Sequence, residues 1–204
     1  ANAKATISNA VAVAAAGGVV LVEPGDYTSS ASRIATISKA IAVRAKDGPG
    51  TVRFHLGQAG GGFAVSVDGA VVDGFTLYHA YYNTDGYVFK AAPGHFIDCA
   101  AIASTNTANL QFPVIITGGW LYRCLLTGIY MTSSSGSGGQ RVLLKATGSD
   151  TIVDSCVISN NFDNSIYGGS SAMVYLEGAT RFRNSLVVNN RHRVGNYCGV
   201  YAIG

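Results

Sequence analysis

The chain has 204 residues, 48% hydrophobic and 12% charged, with a net charge of +3. That apolar share can fill one continuous core, so a single elongated domain over 1–204 accounts for the whole sequence. The 14 Lys and Arg are scattered, with only Arg191, His192 and Arg193 bunched, which argues against nucleic acid as a partner, and no run is long and apolar enough to span a bilayer as a helix.

The first element, Ala5 to Ala16, places Ile7, Ala10, Val11 and Ala14 on one helical face, with Thr6 or Ser8 available as N-cap and Gly17-Gly18 as terminator. A short capping helix over 5–18 follows from this pattern. It would cover the open end of whatever stacks behind it. Residues 19–62 then read as leading coils: VVLVEPGDYT from Val19 to Thr28, and further strands over Ile34 to Val43 and Thr51 to Leu56 around the turn Asp47-Gly48-Pro49-Gly50.

From Phe63 to the end the sequence repeats. MVYLEGATRFRNSLVVNN, Met173 to Asn190, is the clearest copy of a unit that also starts at Phe63, Tyr87, Pro113, Val142 and, cut short, Gly199. The turn glycines Gly69, Gly94, Gly119, Gly148, Gly178 and Gly204 step by 25, 25, 29, 30 and 26 residues. A second column, Phe75, Cys99, Cys124, Cys156 and Ser185, keeps time with them at 24, 25, 32 and 29. Such a period means units that stack because none can bury its apolar side alone, and the alternation of apolar residues makes the units strands. The expected fold is all-β, a right-handed parallel β-helix of coils of about 25–30 residues over 63–204, with the Phe/Cys/Ser column forming an inward ladder. Its thiols, with Cys198 outside the column, lack the paired spacing of a zinc site and read as free core filler. The last unit stops within a repeat at Gly204, so a chain truncated at the C-terminus, or an open end used for self-association, is expected.

The segment V-x-V-x-P-G-x-Y after the helix resembles the N-terminal part of pectin-lyase-like right-handed parallel β-helix proteins. DSCVISNN at Asp154 to Asn161 and RNSLVVNN at Arg183 to Asn190 resemble bacterial surface β-helix proteins of the autotransporter type. The resemblance covers nearly the whole chain and implies a secreted or cell-surface protein, in a superfamily that holds lyases, hydrolases, adhesins and stalks alike.

Candidate chemistry sits in arms between coils. Asn83-Thr84-Asp85-Gly86 resembles the element that carries a catalytic carboxylate in polygalacturonase-type hydrolases, yet the second carboxylate pair, the Gly-His-Gly and the Arg-Ile-Lys of that family are missing, and the tetrapeptide is also a good tight turn. Asp85 therefore stands as the alternative catalytic residue of a polysaccharide hydrolase or lyase. Calcium enters only with the lyase, and no other cofactor is implied. Asp73, Tyr122, Asp154 and Arg183 share one outward position of mixed sign, where Asp154 and Arg183 can pair across one coil step. The aromatic arms carry the favoured reading: Tyr78, His79, Tyr81, Tyr82, Asp85 and Tyr87 cluster, and Tyr130, Phe162 and Tyr167 follow in later arms. Rings on a rigid flank can stack on pyranoses, so an extracellular structural or adhesive module binding polysaccharide or cell-surface glycan is the expected function; the competing reading packs these rings over outward Leu125, Val157 and Leu186.

Overall fold

A computed structural model describes residues 5–29, 31, 33–57, 61–79, 87–103, 113–131, 142–164, 172–193 and 197–204. Helix α1 is Ile7–Val13. Strands β1 (Val19–Val22) and β2 (Gly25–Ser29) open the stack, and β3 (Ala35–Ile37), β4 (Ala42–Ala45) and β5 (Val52–Leu56) form the first coil with all its sides. The coils after it are β6 (Phe63–Val65), β7 (Val71–Asp73) and β8 (Phe75–His79), then β9 (Phe89–Ala91), β10 (His95–Ile97) and β11 (Ala100–Ala103). Next come β12 (Val114–Tyr122), β13 (Leu125–Thr127) and β14 (Tyr130–Met131), then β15 (Val142–Asp154), β16 (Val157–Ser159) and β17 (Phe162–Asp163). The last strands are β18 (Ala172–Glu177), β19 (Arg181–Arg183), β20 (Leu186–Val188), β21 (Arg191–His192) and β22 (Tyr197–Ile203).

Each strand pairs in parallel with its counterpart one coil on, giving an all-β parallel solenoid of about five turns. One sheet runs β1-β4-β7-β10-β12-β15 and continues to β18 and β22, with β3, β6, β9 and β19 joined to it; a second runs β2-β5-β8-β11-β13-β16-β20; the third is β14-β17-β21. Period-2 patterning sets the inside. In β5, Val52, Phe54 and Leu56 are buried while Arg53 and His55 face out. The inward ladder of the second column is present: Phe75, Cys99, Cys124 and Cys156 are all buried, Ser185 is half-buried, and the three thiols are free.

Helix α1 matches its sequence pattern. Thr6 caps it by accepting from the Asn9 amide at 3.1 Å, Val11 is buried, and Ile7, Ala10 and Ala14 pack on the core. The Lys39 ammonium donates to the carbonyls of Val11, Ala12 and Ala14, satisfying the last-turn acceptors and complementing the helix dipole.

Corners are built by left-handed residues stacked in register. Gly74, Asp98, Arg123, Ser155 and Asn184 all have positive φ, and the amides of the first four donate to Ile97, Tyr122, Asp154 and Arg183 of the next coil. That bond offsets the roughly 1–2 kcal/mol cost of a left-handed non-glycine residue. Gly128, Asn160 and Asn189 form a second such corner. Behind it Asn161, 1% exposed, faces inward: its Oδ1 accepts from the Ile129 amide at 2.9 Å, and its Nδ2 donates to Leu126 O at 3.0 Å and Asn190 Oδ1 at 2.9 Å.

The turn glycines occupy two registers rather than one column. Thr117 pairs with Thr147 and Thr147 with Glu177, so Gly118, Gly148 and Gly178 are equivalent when counted from the preceding strands. Counted from the following strands, Gly119 matches Gly94, because His95 pairs with Trp120. The β12–β15 register shifts between Thr117 and Gly119, and Thr151 fills the shift by accepting from the Gly118 amide at 2.7 Å.

Candidate functional site

The alternation in Trp120-Leu121-Tyr122 buries Leu121 and turns both rings outward. In the next coil Ile152 and Asp154 stand beside them, and Arg181 and Arg183 stand in the coil after. Trp120, Tyr122, Ile152, Asp154 and Arg183 line a shallow hollow of about 300 Å³, at the small end for ligand sites. Trp120 is 47% exposed, an unusual placement for an indole.

Ion pairs fix the polar rim. Arg183 Nε lies 2.8 Å from Asp154 Oδ2, the pairing expected from the sequence, while Asn184 Nδ2 and Ser155 Oγ donate to Asp154 Oδ1 at 3.0 and 2.9 Å. The Asn184 amide, with Ser155 and Arg183, holds the Asp154 carboxyl below its ordinary range. A lowered carboxylate pKa stabilises the fold above the ordinary carboxylate range, and this contribution disappears as pH falls through the folded-state value. Arg123 grips Asp98 with two bonds of 2.5 and 2.6 Å and lies 4.6 Å from the centre of the Tyr122 ring. On the other side, the His95 ring is 5.4 Å from Trp120, and burial lowers its pKa against the opposing pull of Asp68. An exposed indole flanked by immobilised donors and acceptors can stack on one face of a sugar ring and bond its hydroxyls. Among the described residues no group of three or more His, Cys, Asp or Glu stands close enough to hold a metal ion.

Those of the singled-out aromatic residues that are described lie on or beside several strands. Tyr78 is an outward residue of β8, not part of an arm, and stacks on His55 with centroids 4.9 Å apart and planes 8° apart. His79 ends β8. Tyr87 is only 7% exposed, and its hydroxyl has no hydrogen-bond partner among the described residues. Tyr130 and Phe162 belong to the third sheet, with centroids 5.2 Å apart. Tyr81, Tyr82, Asp85 and Tyr167 lie outside the described residues. On the second sheet, Val157 and Leu186 remain 36% and 54% exposed, so the described rings leave them in contact with solvent. Trp120 and Arg181 were not singled out from the sequence; the W-L-Y alternation was the available signal.

No family model, no curated protein and no solved structure matches this chain.

Proposed function

We propose that this chain is an extracellular structural or adhesive β-solenoid module that binds glycan on its flank. The exposed Trp120 beside Tyr122, on a rigid sheet whose polar rim is fixed by ion pairs, is the observation that carries the reading. The low charged share and the resemblance to pectin-lyase-like and autotransporter-type surface proteins support secretion and a place at the cell surface. Tyr81 and Tyr82, outside the described residues, are included in this proposal as further rings of the same chemistry.

Trp120 is the chain's single tryptophan, so its emission reports on the hollow directly. Titration with a glycan panel is expected to shift or quench that emission for the ligands the protein retains, and Trp120→Ala is expected to weaken their retention by about tenfold, the value of one aromatic stack. Wild-type retention by the Trp120→Ala variant, or a panel in which nothing binds, defeats the glycan reading and leaves a stalk.

The alternative, a polysaccharide hydrolase or lyase centred on Asp85, is favoured by the Asn83-Thr84-Asp85-Gly86 motif alone. It requires turnover of an acidic polysaccharide that Asp85→Asn lowers by about a hundredfold or more, as loss of a general acid or base does. Equal turnover by the variant and the parent removes Asp85 from the chemistry.

A further inference from the structure

Two outward columns meet at the Trp120 hollow and continue along the stack. One passes through Val19, Ala42, Val71, His95, Trp120 and Ile152, each paired with the next across one coil step. Five such steps make roughly 24 Å along the solenoid axis. Val19 and Trp120 are 56% and 47% exposed, and the other four are half-buried, so this column is a largely apolar strip open to solvent. Beside it, the second column passes through Arg44, Asp73, Ile97, Tyr122, Asp154 and Arg183.

The charges of the second column close on one another. Arg44 lies 3.4 Å from Asp73 and Arg183 2.8 Å from Asp154, and at the neighbouring corner Arg123 grips Asp98. The first column adds one charge of each sign at its side and end: Asp68, 3.7 Å from His95, and Arg181, which follows Ile152 in the next coil. Matched pairs offer donors and acceptors with little net field. An acidic polymer entering here meets the carboxylates and competes with them for their arginines, and a cationic polymer meets the reverse. An uncharged polyol displaces neither partner, because its hydroxyls donate to the carboxylates and accept from the guanidiniums. The two strips also fit the two aspects of a flat sugar chain. Ring C–H faces lie on the apolar strip, where Trp120 supplies an aromatic face, and one hydroxyl edge lies along the polar strip. One coil step of about 4.8 Å is close to the length of one pyranose in an extended chain.

We propose that the Trp120 hollow is one subsite of a track along the solenoid axis that takes an uncharged, extended polysaccharide of the β-1,4-linked ribbon type, its sugars lying over successive coils between Val19 and Ile152. This names the ligand class of the hollow and rests on the glycan reading given above.

The test is titration calorimetry, with Trp120 emission as the reporter of the site, using cellobiose and cellohexaose, chitobiose and chitohexaose, dextran and polygalacturonate at low and high salt. At least one hexaose is expected to bind about tenfold or more tightly than its disaccharide, because it covers more of the track, and to bind equally well at both salt concentrations. Val71 stands two coil steps from Trp120 and faces outward, so Val71→Asn spares the core; it is expected to weaken hexaose binding by about threefold or more. Polygalacturonate bound more tightly than either hexaose, with affinity falling as salt rises, overturns the uncharged class and leaves the glycan reading standing. Dextran bound as tightly as the hexaoses overturns the ribbon. Hexaoses bound no more tightly than disaccharides, or wild-type hexaose affinity in Val71→Asn at an unchanged melting temperature, overturn the track and leave a single hollow. Binding of none of these sugars defeats the glycan reading itself and the track with it.

Discussion

Replacing Gly119 by alanine is expected to cost about 4 kcal/mol or more and to lower the thermal midpoint steeply, placing it among the most damaging single changes this fold can suffer. A Cβ there would lie 2.0 Å from Gly94 O and 2.7 Å from Gly94 N, both backbone atoms of the preceding coil. No side chain can rotate away to make room. Relief requires β10 and β12 to separate where the Trp120 amide donates to Gly94 O at 3.1 Å. The φ of +95° at Gly119 adds strain for any L side chain. Gly178 is the internal comparison: its φ is +70°, but the nearest atom to a Cβ is Gly148 N at 3.9 Å, so Gly178→Ala should cost only about 1–2 kcal/mol from the left-handed conformation. Circular dichroism melts of the two variants separate close approach from conformational strain. Equal midpoints would show that the coil contact at Gly119 yields easily, contrary to this account.

Asn161→Leu keeps the branched outline of the side chain and removes the three hydrogen bonds that the Asn161 side chain makes at the second corner. The Ile129 amide loses its acceptor, Leu126 O and Asn190 Oδ1 lose a donor, and the site is 1% exposed, so water cannot readily replace them. At about 1–3 kcal/mol for each buried group left unsatisfied, a loss of roughly 3–5 kcal/mol is expected. Denaturant unfolding would measure it, and amide exchange would localise it, with Ile129 losing protection ahead of the β12 and β15 amides. Asn190, only half-buried, should lose less on the same substitution. A wild-type midpoint for Asn161→Leu would mean that the corner is held by its backbone alone.

The coil architecture was legible because its signals are local and repeated. Alternation places Phe75 and Cys99, Cys124 and Cys156 inside, and the same logic puts Asp154 and Arg183 within ion-pair distance across one coil step. The glycine column was only partly legible. Gly118 and Gly119 are adjacent and chemically identical, so a period counted along the chain cannot tell which one stacks on Gly94 and which on Gly148; the choice depends on the register shift that Thr151 fills. The left-handed corner was hidden for a different reason. Asp98, Arg123, Ser155 and Asn184 share a backbone conformation that an inter-coil bond stabilises, and no common side-chain chemistry marks it. Asparagine favours loops, so nothing in Asn160-Asn161 and Asn189-Asn190 marks an inward position, yet the second member of each pair serves the interior. At the candidate site, clustering of tyrosines drew attention to the arms, and among the described residues an exposed ring with a fixed polar rim is Trp120, on a strand.

The parallel pairing of each coil with the next also sets how this fold would answer a pulling force. Its backbone hydrogen bonds run from coil to coil, so a force pulling the two ends of the stack apart acts along those bonds and strains them rung by rung, whereas a force across a coil shears many at once. Pulled lengthwise, the chain should therefore come apart one coil at a time. With 24 residues between Phe75 and Cys99 and 32 between Cys124 and Cys156, each step would release roughly 80–110 Å of slack, making a stalk of such coils a series of yielding links rather than a stiff rod that snaps.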